Sequence, residues 1–245
     1  MAYPTVASLI SDAAAEMGLI TADIVDPYAS MDQNIVQLLR LLKSGGVAIN
    51  KHRDWTHLRK EYTFATVNGT ESYALPADFK SLLPNSGWNR STSFPLGGPV
   101  GSDYWQFRKA VPVASTIVFM IRIWRGQMFF SPIPGSAQTI AYEYESTSWA
   151  GVAAAILPNG NTKDAPTLKD DVIFFDQLLM LTRLKLDFRK EKRFDTVSEQ
   201  DAYDDALYAA ESEDSPGSMI YLGGRSNGTP RKLDRWNLPD TGAGQ

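Results

Sequence analysis

Apolar residues recur at steps of three and four from the start of the chain. Val6, Leu9, Ile10, Ala13, Ala14 and Met17 fall on one stripe, which predicts a first helix over 5–17. Gly18 stops it. The period returns after Asp26-Pro27 from Asp32, an N-cap residue type, with Ile35, Leu38, Leu39 and Leu42 as the buried face. Gly45-Gly46 interrupts this second helix, since each glycine costs about 1 kcal/mol relative to alanine. Either the helix breaks there or a neighbouring backbone approaches closely. The helical pattern resumes over 47–55 and closes at Trp55.

From Glu61 the period falls to two. Tyr62, Phe64 and Thr66 alternate with Thr63, Ala65 and Val67. Asn68-Gly69 then predicts a tight hairpin, whose return strand carries Tyr73 and Leu75 on one face before Pro76 ends it. A Gly/Pro/Ser-rich passage over 85–102 follows. Further strands are predicted with Ile117, Phe119, Ile121 and Ile123 on one face, at 128–130, and over 138–145 with Ile140, Tyr142 and Tyr144 inward. Arg125-Gly126 is the turn between the first two. After a loop containing Pro158-Asn159-Gly160, the segment 172–188 is apolar nearly all round, which predicts a third helix buried on several sides. A fourth runs over 197–211, with Tyr203, Ala206, Leu207 and Ala210 as its stripe. No internal repeat is visible.

This plan is α+β: a four-helix bundle with an antiparallel β-sandwich or open-barrel unit inserted between helices two and three, then an extended C-terminal tail. The boundaries fall at 1–57, 58–165, 166–213 and 214–245. The tail is rich in Gly, Pro, Ser and Asn and buries too little to offset chain entropy by itself. Its spaced apolar residues suit a segment that orders on a partner.

Composition narrows the function classes. With 245 residues, 43% hydrophobic and 21% charged, the chain fits a soluble globular protein with a sizeable core. A net charge of -4 gives no argument for wrapping nucleic acid. The longest apolar runs, 172–181 and 117–123, fall short of the roughly 20 residues that span a bilayer, so no membrane role is expected. The absence of cysteine excludes disulfide and thiolate chemistry. No basic region precedes an apolar run at the N-terminus, so no signal peptide is expected. Asn68-Gly69-Thr70 and Asn227-Gly228-Thr229 match the glycosylation pattern but read as turns.

Candidate chemistry is sparse. His52 and His57 are the only histidines, and neither a metal-ligand cluster nor a phosphate-binding glycine loop is present; no cofactor or metal is expected, and His52 reads as a packing or capping residue. Glu143 and Glu145 lie two apart on one strand, so they project from one face, where a glycosidase pair could be built; a solvated strand face is the simpler reading. Asp170-Asp171 is placed at the start of the third helix, where negative charge suits the dipole, and Asp201, Asp204 and Asp205 on the outer face of the last. A basic run, Arg183, Lys185, Arg189, Lys190, Lys192 and Arg193, suits a helix C-terminus, or else contact with an acidic partner or passing DNA. Trp55, Trp88, Trp105, Trp124 and Trp149 adjoin predicted element ends, where rings cover a core edge.

One segment is more specific. Trp55 closes a helix, Tyr73, Leu75, Pro76 and Asp78 form a Tyr-x-Leu-Pro-x-Asp element, and Trp88 follows. This arrangement resembles the head-to-tail adaptor proteins of short-tailed bacteriophages, the family that includes tail tubular protein A. Tyr142-Glu143-Tyr144 followed by Trp149 is similar to a later element of that family. The resemblance implies a structural virion protein of the phage neck, assembled in the host cytoplasm, without enzymatic activity. It implies a ring of twelve copies joining the portal protein to the tail nozzle protein, with DNA passing through the bore without sequence-specific binding. The tail would meet the portal, which makes Met219, Tyr221, Leu233 and Trp236 candidate anchors. Some relatives carry a cell-wall hydrolase activity, for which no motif here can be matched. Two alternatives stay open: a carbohydrate-binding tail component using the β unit, and a glycan hydrolase using Glu143 and Glu145.

Overall fold

The computed structural model describes residues 3–20, 22–111, 118–152 and 161–214. Expectations for Ile117, for the loop at 153–160 and for Met219, Tyr221, Leu233 and Trp236 lie outside these residues.

Helix α1, Val6–Glu16, starts on a reciprocal cap: the Thr5 hydroxyl accepts from the Ser8 amide at 3.2 Å, and the Ser8 hydroxyl accepts from the Thr5 amide at 3.1 Å. Two orphan donors are satisfied at once. Helix α2, Gln33–His52, starts where Asp32 accepts from the Asn34 amide at 2.8 Å. It runs unbroken through Gly45-Gly46. The reason is a side chain rather than the backbone anticipated above. A Cβ on Gly46 would lie 2.3 Å from the indole ring of Trp149, which is fully buried.

A short 3-10 turn, Thr56–Leu58, leads into the strands. These are β1 Arg59–Ala65, β2 Ser72–Ala74, β3 Phe79–Leu82, β4 Trp88–Asn89 and β5 Phe94–Pro95. Helix α3, Ser102–Ala110, then precedes β6 Met120–Trp124, β7 Gln127–Ser131 and β8 Thr139–Ser146. The pairs β9 Ala150–Gly151, β10 Thr162–Lys163 and β11 Val172–Ile173 lead to α4, Gln177–Glu191, and α5, Val197–Asp214. The architecture is mixed α+β with antiparallel sheets.

Strand β8 is the spine of the larger sheet. It pairs along its length with β1, from Arg59↔Glu145 to Ala65↔Thr139, and on its other side with β3 and β4, beyond which lies β5. A second sheet runs β2-β7-β6. The two face each other across an aromatic core: Ile140, Tyr142 and Tyr144 meet Ile121, Met128 and Phe130, with Phe64 and Tyr73 at the rim. A separate core joins α1, α2, α4 and α5 with Trp55, Trp149, Phe174 and Phe175.

Four local expectations need correction. Asn68-Gly69 does form a turn, with Gly69 at φ +78, but its flanking strands β1 and β2 enter different sheets. The two-residue hairpin is instead Arg125-Gly126, both at positive φ (+50 and +71), with Trp124 facing Gln127 across it. The third predicted helix begins later than 172. Val172–Ile173 pairs with β9, and Asp176 caps α4 by accepting from the amides of Leu178 and Leu179. A continuous apolar run cannot distinguish a buried strand from a buried helix. Asp171 therefore does not start a helix; it accepts from the Lys163 ammonium at 2.8 Å and from the Thr167 and Leu168 amides. Finally, α3 lies between the Gly/Pro/Ser-rich passage and the next strand, where no helix was expected.

Candidate functional site

The signature residues divide between the junction of the two cores, where Trp55 and Asp78 sit, and the β unit, which holds Tyr73, Leu75, Pro76 and Trp88. Trp55 is buried. Its indole donates to the Ile49 carbonyl at 2.9 Å, and its amide donates to Glu145 at 3.1 Å. Its ring meets Phe175 edge-on at 5.6 Å. The Tyr73 hydroxyl closes the 67–70 turn, accepting from the Val67 amide at 2.8 Å. Leu75 packs on the aromatic core, and Pro76 accepts from the Phe79 amide to close the next turn. Asp78 takes three donors: Lys60 at 2.5 Å, Tyr144 at 2.9 Å and Ser146 at 2.7 Å. Burial opposes its ionisation, but these bonds outweigh burial and hold the carboxyl below its usual range. Trp88 lies in β4, between β8 and β5.

The C-terminus of α2 supplies the second half of the junction. Its last carbonyls have no partner within the helix. Lys80, from β3, fills that role: its ammonium donates to the Asn50 carbonyl at 2.6 Å and the Arg53 carbonyl at 3.1 Å. A cation at a helix C-terminus also complements the dipole. Glu145 balances its charge at 2.9 Å, and Asp54 lies 3.6 Å away. Asn50 adds a bond to the Thr147 carbonyl at 2.8 Å.

Glu145 is therefore neither half of a solvated pair nor an accessible nucleophile. Its side chain is 1% exposed. Burial, and then the neighbouring Asp54 carboxyl, push it up to about 7 against the pull of Lys80. Glu143 does face solvent, beside a cleft of about 650 Å³ that also presents Glu61, Trp88 and Arg90. Arg90 is paired there with Glu61 at 2.6 Å.

The end of α5 is tied to the same junction. Asp214 accepts from the Thr56 amide at 3.0 Å, from the Thr56 hydroxyl at 2.5 Å and from His57 at 3.2 Å. Burial again works against ionisation and is outweighed, chiefly by Thr56, so the Asp214 carboxyl sits below its usual range. His52, at the end of α2, meets Glu211 at 3.0 Å one turn earlier, an exposed polar contact between the two helices.

The basic run is largely engaged within the fold. Arg183 binds Asp187 at 2.7 Å and lies over the Tyr203 ring at 5.2 Å. Lys185 pairs with Glu16, and Arg189 with Glu199 at 2.8 Å. Lys190 donates to Gln200 at 3.0 Å and Lys192 to Asn34 at 3.2 Å. Arg193 is exposed at φ +58, just past α4. Asp201, Asp204 and Asp205 are exposed on α5.

Sequence reasoning missed Lys80, Asn50 and Asp54. Lys80 alone carried a signal, as a cation inside a short strand otherwise made of Phe79, Ser81 and Leu82. No group of three or more metal-ligating side chains occurs among the described residues, and no helix among them is long and apolar enough to cross a membrane. A family model described as SU10 adaptor protein matches residues 4–220. No curated protein matches the chain.

Proposed function

The chain belongs to the SU10 adaptor protein family, a family of structural phage neck proteins, and we propose that it forms a ring joining the portal to the tail nozzle. The observation that carries this reading is the family match over 4–220, which spans both cores and the junction between them. In this proposal twelve copies close the ring and DNA passes through the bore. The mildly acidic chain suits that passage, because a basic lumen would hold the phosphate backbone. Met219, Tyr221, Leu233 and Trp236 are the proposed portal anchors. With Arg183, Arg189, Lys190 and Lys192 engaged in internal pairs, Arg193 is the favoured member of the basic run for an external contact. No catalytic role is proposed: a side chain buried behind Lys80, as that of Glu145 is, cannot reach a glycan.

The test is electron microscopy of the chain mixed with the portal oligomer of its own phage. Extra ring density on the portal is expected and would give the copy number. Bare portals at high subunit concentration would overturn the proposal. Deleting 215–245 is expected to abolish portal binding while leaving the thermal transition nearly unchanged, since α5 keeps Asp214 and its bonds. Unaltered portal binding after that deletion would remove the tail assignment. A glycan array probes the cleft at Glu61, Trp88 and Glu143, where a strong hit would favour the carbohydrate-binding alternative.

A further inference from the structure

Helix α3 carries more apolar surface than it buries. Trp105 is its only buried residue, while Phe107 is 58% exposed and Tyr104 is exposed beside it. The hairpin formed by β6 and β7 extends this surface. Trp124 is 45% exposed at its tip, with the Arg125 guanidinium 4.3 Å and the Arg122 guanidinium 5.4 Å from its ring centre. Helix and hairpin are one unit: Trp105 and Trp124 both pack on Phe129, at 6.3 and 6.0 Å, and Arg122 donates to Ser102 at 3.0 Å. Exposed aromatic rings interleaved with arginine are the composition of interface hot spots.

Helix α5 presents the opposite chemistry. Val197–Asp214 contains seven carboxylates and no lysine or arginine. Asp201, Asp204 and Asp205 face solvent, and the same helix exposes Val197 (69%) and Tyr208 (74%). An acidic face set with apolar groups complements a basic face set with aromatic ones, and charge complementarity of this kind fixes which surfaces meet.

We infer that the α3 and β6–β7 face of one copy docks on the α5 face of the next. Two unlike surfaces on one chain make a heterologous contact, which closes into a ring when the rotation between neighbours allows. The inference rests on the ring reading and names its lateral interface. The occupant of the aromatic-basic face is a second copy of this chain.

The experiment is a charge swap in the full chain, read as ring formation by electron microscopy and native mass spectrometry, alone and with portals. Arg122→Glu with Arg125→Glu, and separately Asp201→Lys, Asp204→Lys and Asp205→Lys, are each expected to weaken assembly about tenfold or more. All five changes in one chain are expected to restore it. Circular dichroism confirms that each variant folds. As an independent measurement, the cysteine-free chain allows Phe107→Cys and Tyr208→Cys proteins to be mixed with a short bismaleimide. Cross-linked pairs are expected in the mixture well above either variant alone. If the unmodified chain assembles and the reversals assemble equally well, the assigned faces are wrong and the ring stands. If the reversals disrupt assembly and the swap does not restore it, the faces serve another partner and the inference fails. If the unmodified chain forms no ring in any condition, the ring reading fails and takes the interface with it.

Discussion

Replacing Gly46 with alanine is expected to destabilise the protein by about 1–3 kcal/mol, although alanine is the better helix former. The added methyl would lie 2.3 Å from the Trp149 indole, and Trp149 is fully buried, its ring stacked on Phe175 at 6.1 Å and its carbonyl accepting from the Phe174 amide at 3.0 Å. The ring cannot retreat, so either α2 bends or the core opens. A fall of about 2–4 °C in Tm per kcal/mol is expected for a chain of this size. Gly45→Ala is the control. Its methyl would meet the Arg183 stem at 3.2 Å and, at ordinary contact distance, the Asp187 carboxylate at 3.7 Å; both are side-chain atoms, and a shift of a few tenths of an ångström makes room. The intrinsic gain of up to about 1 kcal/mol then decides, and stability should hold or rise. In a Trp149→Leu background the Gly46 change should have little further effect, because coupled sites are not additive. Equal melting of the two single glycine variants would sink this account of the pair.

Removing the Glu145 carboxyl has the second large expected effect. Glu145→Ala leaves the Lys80 ammonium and the Trp55 amide without their buried acceptor. Lys80 keeps the Asn50 and Arg53 carbonyls and the nearby Asp54, so the cost expected is that of buried donors left unsatisfied, about 1–3 kcal/mol. Glu145→Gln is expected to be mild at pH 6, since a group pushed up to about 7 is then mostly protonated and glutamine mimics that form. The pH dependence has a definite sign. The folded state holds the Glu145 proton up to about pH 7, and the unfolded state releases it near the ordinary glutamate value of 4.5. Between those limits the native state binds more protons, so stability falls as pH rises. The upper bound is about 3 kcal/mol. Asp78, Asp171 and Asp214 act in the opposite sense: their lowered values give stability that is present above the usual carboxylate range and lost as pH falls through it. Urea titrations at pH 5 and pH 8 should show a decline in the parent and a smaller one in Glu145→Gln. A flat profile in the parent would contradict the assignment.

The helices were the most legible part of the chain. Thr5, Asp32 and Gly18 mark ends, the apolar stripe of α2 and all but Met17 of that of α1 are buried, and of the α5 stripe Tyr203 and Ala206 are buried while Leu207 and Ala210 are partly so. Strand pairing was less legible because alternation reports which face is apolar, not which strand lies alongside. The tyrosines of β8 were correctly placed inward, while Glu145 kept outward parity and was still buried, because the end of α2 and Lys80 cover that end of the strand. Helix α3 was missed because its residues pack through one tryptophan only, leaving no stripe to read. Gly45-Gly46 was visible as a conflict, and only the position of Trp149, about a hundred residues on in sequence, explains it. The signature residues were found from the sequence, but what Asp78 and Trp55 hold together follows from partners at Lys60, Tyr144, Ser146 and Glu145 that no local pattern announces.

The bonds of Asp214 to Thr56 and His57 have a mechanical consequence. Tension that reaches the C-terminal end of α5 along the chain meets the fold beside Trp55 and the first turn leading into the strands. The bonds to Thr56 and His57 and the His52–Glu211 contact one turn earlier bear that pull together. Helix α5 is thereby spared being peeled from its free end one residue at a time. A load on the C-terminal segment is instead delivered to the seam that both cores share.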